Sequence, residues 1–176
     1  MSEESLDNEI LKEFQLESQS LIVKMNEILE GCEGDYSQVQ SLEEYGQNVD
    51  RIMGGAQSLA LGFSDKNHMI HKIGDYSAIC KAVGYKASQI KGNEQFYDIC
   101  VALLLDGTEV LTTMVSHLDT GKTDLAELFS QTFLDRLRWV SSQFGADVRA
   151  SVAVKKAPDA KMGQEDIDAL LKKLGL

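Results

Sequence analysis

The sequence predicts an all-α protein: an antiparallel up-and-down bundle of about five helices, followed by a linker and a short terminal helix. Three observations carry this. Apolar residues recur at steps of three and four over several long segments, the signature of helices with one buried face. The 176 residues contain one proline, Pro158, and turn clusters are few before residue 145. After Gly145 the apolar pattern stops, and it resumes only in the last 13 residues.

The first helix is expected over 6–30, where Ile10, Phe14, Leu21, Met25 and Ile28 form a stripe that "GCEGD" ends. The second spans 37–61, with Leu42, Val49, Ile52, Met53, Ala56, Leu59 and Ala60 on one side. The third runs over 65–90, capped by Ser64 and interrupted near Gly84. Its inner face is Met69, Ile70, Ile73, Tyr76, Ile79, Cys80 and Val83. After "KGN" the fourth helix covers 94–118 and is the most apolar, as an inner helix would be. The fifth covers 124–144, with Thr123 as N-cap and Glu127 near the third helical position; Leu128, Phe133, Leu137 and Val140 point inward. Residues 1–145 then form one bundle, 146–163 a flexible linker, and 164–176 an amphipathic tail carrying Ile167, Leu170, Leu171 and Leu174.

Composition narrows the function classes. The net charge is −11, and residues 1–50 hold thirteen acidic and two basic residues. A phosphate backbone needs clustered Lys and Arg, so a nucleic-acid partner is not expected. Cys32, Cys80 and Cys100 show no CxxC spacing, which fits free thiols in a reducing compartment. The acidic start has no apolar signal core, and no run reaches the roughly 18 apolar residues of a membrane span. A cytoplasmic protein with no membrane partner is expected. His68 and His71 lie three apart, too few ligands for a metal site, and with His117 they read as surface or half-buried histidines.

The second helix carries the unusual feature. At 100° per residue, Glu43, Gln47, Asp50, Gly54 and Gln57 fall within about 80° of arc, opposite the apolar side. In the middle stand two glycines, Gly54 and Gly55, each costing a helix about 1 kcal/mol relative to alanine. Two explanations are open: the glycines keep the stripe low for another molecule, or they make room for a neighbouring helix.

"ILKEFQLESQSLIVKMNEILEG" and "VDRIMGGAQSLAL" resemble the first and second helices of histidine-phosphotransfer (HPt) domains, especially the one that begins the chemotaxis kinase CheA. The resemblance spans roughly residues 6–118 and is specific across 49–61. It implies an up-and-down bundle with a receiver-docking surface at Gly54, Gly55 and Gln57. The position of the phosphorylated histidine holds Asp50, and that of the usual lysine holds Met53. Aspartate cannot carry out phosphoimidazole chemistry, so phosphoryl relay is not implied. The tail "GQEDIDALLKKLGL" resembles the C-terminal helix of the CheZ phosphatases and the CheY-binding peptide of the flagellar switch protein FliM. That implies a CheY-like response regulator as partner, gripped by Ile167, Asp168, Leu170, Leu171 and Leu174. The alternative for the tail is folding back on its own bundle.

CheZ-type phosphatases insert an acid and an amide, four residues apart on a helix, into the receiver's active site. Here Glu43 and Gln47 have that spacing, beside Asp50; the family has Asp where this chain has Glu43. The likeness implies that Gln47 orients the attacking water while Glu43 or Asp50 contacts the receiver's lysine. No cofactor of its own is implied, since the receiver would carry Mg²⁺. Glu44/Asn48 and Glu127/Gln131 have the same spacing. The expected function is therefore promotion of CheY-phosphate dephosphorylation. The alternatives are a non-enzymatic adaptor and a flagellar-motor component. The stripe that docks a receiver could also dock a second copy, giving a homodimer.

Overall fold

The computed structural model describes residues 3–145 and 163–176, with side chains from Asp7 on. Six helices are present among them: α1 (Glu3–Cys32), α2 (Ser41–Ala60), α3 (Met69–Ala87), α4 (Glu94–Ser116), α5 (Gln131–Gln143) and α6 (Gln164–Lys173). No strand occurs among the described residues. Helices α1 and α2, α2 and α3, α3 and α4, and α4 and α1 pack in pairs, which closes a ring around one core. Helix α5 lies on α4, and α6 lies on α3 and α5. The expected linker falls almost wholly outside the described residues; Gly163 alone is described, just before α6.

Helix α1 buries Leu11, Phe14, Ser18, Leu21, Ile22, Met25, Leu29 and Cys32. Ile10, expected inward, is 38% exposed, because the stripe runs through Leu11 one residue later. The "GCEGD" break is a tight turn with Gly34 at φ +69, followed by one 3₁₀ turn over Tyr36–Gln38. Two tyrosines hold this corner. The Tyr97 hydroxyl reaches the carbonyls of Cys32 and Asp35 at 2.8 and 2.9 Å. The Tyr36 hydroxyl donates to the Ile90 carbonyl and accepts from the Gly92 amide. Helix α2 consequently begins at Ser41, four residues later than its sequence pattern suggests.

Helices α3 and α5 also start late, for local reasons. The Asp65 carboxylate takes the Asn67 amide, and the His68 ring, not Ser64, caps α3 by accepting from Ile70 N–H at 3.1 Å. Before α5, the Asp124 carboxylate takes the Ala126 amide, and the Lys72 ammonium donates to the Thr123 carbonyl. Leu125 and Phe129 are buried from this irregular segment, Phe129 edge-on to Tyr76. Ser130 then caps α5. Thr123 is therefore not the cap, and Glu127 and Leu128 precede the helix. Three anchors along 123–129 outweigh about two more turns of helix.

Helix α3 runs unbroken through Gly84. A Cβ on Gly84 would meet Tyr45 Cδ1 at 2.7 Å, and one on Gly46 would meet the Tyr85 ring at 3.0 Å. These two glycines let α2 and α3 cross closely, each receiving the other helix's tyrosine. Tyr45 is fully buried, and its hydroxyl lies 3.0 Å from Thr108 Oγ1. The Thr108 hydroxyl hydrogen goes to the Leu104 carbonyl at 2.7 Å, so Tyr45 is the donor in that pair. Tyr76 likewise donates to the Gly107 carbonyl at 2.7 Å. Polar ties thus cross the core from α2 and α3 to α4. Within the stretch Glu94–Asp119 an 18-residue window has mean hydropathy 1.6, long and apolar enough by composition to cross a membrane. Half of that window is buried inside this fold, as for an inner helix.

Candidate functional site on helix α2

Helix α2 presents the predicted stripe outward in part. Gln47, Gly54 and Gln57 are exposed; Glu43 and Asp50 are half-buried. The glycine pair divides between the two explanations. A Cβ on Gly54 would meet nothing within 4 Å, so Gly54 is open surface. A Cβ on Gly55 would meet the Phe14 ring of α1 at 3.0 Å. Gly55 therefore makes room for α1, which corrects its assignment to an open docking face. The reason is angular: Gly55 lies about 100° round the helix from Gly54.

Two residues of α3 complete the site. The Lys81 ammonium lies 2.7 Å from the Asp50 carboxylate, with side-chain exposures of 16% and 42%. Tyr85, one turn along α3, is buried. Burial first, and then the negative charges of Asp50 and Glu43, push its phenol up to about 12. Tyr85 stays protonated, a neutral ring between the stripe and the core. Neither Lys81 nor Tyr85 stands out in the sequence. Their four-residue spacing puts them on one face of α3, but only the α2–α3 crossing shows which face meets Asp50.

The three acid–amide pairs now separate. Asn48 is 9% exposed, and its side-chain amide donates to the Glu44 carbonyl at 2.9 Å, so it is turned in and occupied. Glu127 precedes α5, while Gln131 begins it and donates to Asp135 at 2.8 Å. That pair no longer shares one helical face. Glu43 and Gln47 remain on successive turns of α2, and the Gln47 amide makes no side-chain hydrogen bond among the described residues. Asp50 is held by Lys81, which leaves Glu43 as the acid without an ion-pair partner among the described residues.

The tail residues lie elsewhere. Ile167, Leu171 and Leu174 are 1%, 0% and 4% exposed, and Leu170 is half-buried. Asp168 lies 3.7 Å from Arg138 of α5, and Lys173 lies 3.4 Å from Asp75 of α3. The closing Leu-Gly-Leu is a helix stop: Gly175 has φ +82, and Leu176 N–H reaches the Leu171 carbonyl at 2.9 Å. The apolar face attributed to a partner groove is, in this structure, covered by the chain's own α3 and α5. The physical reason is that a helix this short gains stability only by burying its stripe, and the bundle offers a groove.

The remaining reactive groups have structural surroundings. All three cysteines are free and buried. Burial pushes the Cys80 and Cys100 thiols up to about 12, which removes them as nucleophiles near neutrality. The His71 ring bonds the Phe63 carbonyl at 2.8 Å, and His68 stacks on Phe63. Among the described residues no group of three or more His, Cys, Asp and Glu could hold a metal ion.

His68 gives a pH-dependent expectation. Burial lowers its pKa from 6.5; Asp65 opposes this and His71 adds to it. Only the neutral ring can accept from Ile70 N–H through Nδ1. A depressed folded pKa means the stabilisation is complete above the unfolded value near 6.5 and is lost as pH falls through the lower folded value. Melting temperature should drop between pH 7.5 and 5.5. His68→Asn, which keeps an N-cap acceptor, should flatten that drop; an equal drop in both proteins would rule His68 out.

No family model matches the chain, and no curated protein or solved structure matches it either. Its function therefore rests on the residues themselves.

Proposed function

We propose that this is a cytoplasmic chemotaxis protein that binds a phosphorylated CheY-like receiver and promotes loss of its phosphoryl group. In this reading the ring of α1–α4 is an antiparallel, HPt-like bundle. It keeps a surface for the receiver on α2 and lacks the phosphorylatable histidine, because Asp50 stands in its place. The observation that carries the reading is the Glu43/Gln47 pair. It alone of the three acid–amide pairs keeps both members on successive turns of one helix, with the amide exposed and uncommitted. Gly54, two turns beyond Gln47, leaves the surface open for close approach.

The reaction asks little covalent chemistry of this chain. Water attacks the phosphorus of the receiver's aspartyl phosphate, the Asp–O–P bond breaks, and inorganic phosphate and the receiver's carboxylate result. Mg²⁺ carried by the receiver would balance charge on the phosphoryl oxygens. Gln47 accepts from the water and holds it in line, while Glu43 contacts the receiver's lysine. Asp50 has a different part, since Lys81 already neutralises it. The pair fixes α2 against α3 beneath the docking surface.

The test is the decay of receiver phosphate with and without the protein. Acceleration by the unaltered chain is expected, and Gln47→Ala should reduce it by about 100-fold, the usual effect of misplacing a reacting group. Undiminished acceleration in Gln47→Ala sinks the assigned mechanism. Binding without acceleration favours the second reading, a non-enzymatic pseudo-HPt adaptor. The Asp50–Lys81 pair supports that alternative, because it removes one of the two acids from reach of the receiver's lysine.

A further inference from the structure

The tail helix has one apolar stripe, and the bundle already uses it. Ile167, Leu171 and Leu174 are each at most 4% exposed. The exposed residues of α6 are Glu165, Asp166, Asp168, Ala169, Lys172 and Lys173. No second apolar face remains for another protein to grip.

The pairing of charges fixes how α6 lies. Lys173, at its C-terminal end, meets Asp75 near the start of α3. Asp166, at its N-terminal end, is close enough to Lys86, near the end of α3, to act on its charge. Helix α6 therefore runs antiparallel to α3. Asp168 reaches across to Arg138 of α5 at 3.7 Å. On α3, Ala82 lies about 20° from Asp75 and about 40° from Lys86 around the helix axis. Ala82 is 1% exposed yet stands outside the main apolar core cluster. Its burial on the side of α3 that meets α6 through Asp75 and Lys86 places it beneath α6, where a small side chain lets two helices come close.

The rim pairs are largely exposed: Lys173 by 68%, Asp168 by 50% and Arg138 by 37%, with Asp75 at 23%. Such pairs set register more than strength. A ten-residue helix is marginal in isolation, so α6 is held mainly by its apolar stripe and by its tether to the bundle. This is a contact that a competitor can displace.

We propose that the α3–α5 groove and the receiver compete for the same face of α6, so that the docked tail is a withheld form of the receiver-binding helix. This rests on the receiver-binding reading above, with α6 as a second contact to the same receiver beside α2. Binding of the receiver through α6 must empty the groove. The apparent affinity is then the intrinsic affinity reduced by the fraction of molecules whose tail is free. Any change that closes or opens the groove tunes the response without touching α2.

The experiment uses the full chain with a CheY-type receiver held in its activated form by beryllofluoride. Ala82→Glu places a charge at a buried position on the side of α3 that carries Asp75 and Lys86, and leaves the sequences of α6 and α2 unaltered. Amide exchange should speed up across 164–173 and stay unchanged across 41–60, and receiver binding should tighten about tenfold or more. Should Ala82→Glu fail to fold, Asp75→Lys with Arg138→Glu removes both rim pairs from surface positions. Faster exchange in the tail with unchanged receiver affinity overturns the competition and leaves receiver binding standing. Absence of receiver binding by both proteins, with the tail shown to be free, overturns the receiver reading and this inference with it.

Discussion

Gly84→Val should lower the stability of the protein by about 3 kcal/mol, whereas Gly54→Ala should raise it by up to about 1 kcal/mol. Both are glycines inside helices, and a propensity argument alone treats them alike. At Gly84 a Cβ would come within 2.7 Å of Tyr45 Cδ1. That atom is not the free end of a flexible chain. Tyr45 is fully buried, and its hydroxyl is committed to Thr108 on α4. The ring can yield only by breaking that bond or by moving α2 away from α3. At Gly54 nothing lies within 4 Å, so alanine adds helix propensity at no steric cost. Urea midpoints with unchanged slopes would measure both. Equal and small shifts would mean that α2 and α3 do not cross closely at Gly46 and Gly84. Gly54→Ala also bears on function, because the added methyl stands on the surface assigned to the receiver.

Leu171→Ala should free the tail while leaving the bundle folded. Leu171 is fully buried, and truncating a buried leucine costs about 2–5 kcal/mol. The contact it belongs to is small: three fully buried aliphatic side chains and two exposed ion pairs. A loss of that size is comparable with everything that holds α6 in place. The cost therefore appears as local opening and not as global unfolding. Amide exchange across 164–173 should approach that of an unstructured peptide, while 41–60 and 94–116 stay protected. Loss of protection throughout the chain would show instead that α6 is part of the cooperative core.

Much of the helical architecture is legible in the sequence because one-sided burial imposes a 3.6-residue period. The inner faces of α2, α3 and α4 are apolar at that spacing, and the structure buries most of them, with Met53, Leu59 and Ala60 of α2 half-buried. Helix starts are less legible, since they depend on competing caps. Ser64 and Thr123 are as good N-caps by type as His68 and Ser130. What chose between them was Phe63 beneath the His68 ring and Lys72 reaching the Thr123 carbonyl. Those contacts join residues distant in sequence or ring stacks that no local pattern encodes.

The candidate site divides in the same way. The stripe of Glu43, Gln47, Asp50 and Gly54 follows from counting round one helix, and the sequence alone supplies it. That Asp50 is held by Lys81, that Asn48 is turned in, that Gly55 serves Phe14 and that Gly84 serves Tyr45 are matters of which helices meet and at what distance. The tail is the clearest case. Its amphipathic pattern states that Ile167, Leu171 and Leu174 must be covered, because a short helix cannot keep an apolar stripe in water. It does not state by what. The tertiary structure decides that, because only the assembled α3 and α5 present a groove for the stripe, with Asp75 and Arg138 at its rim.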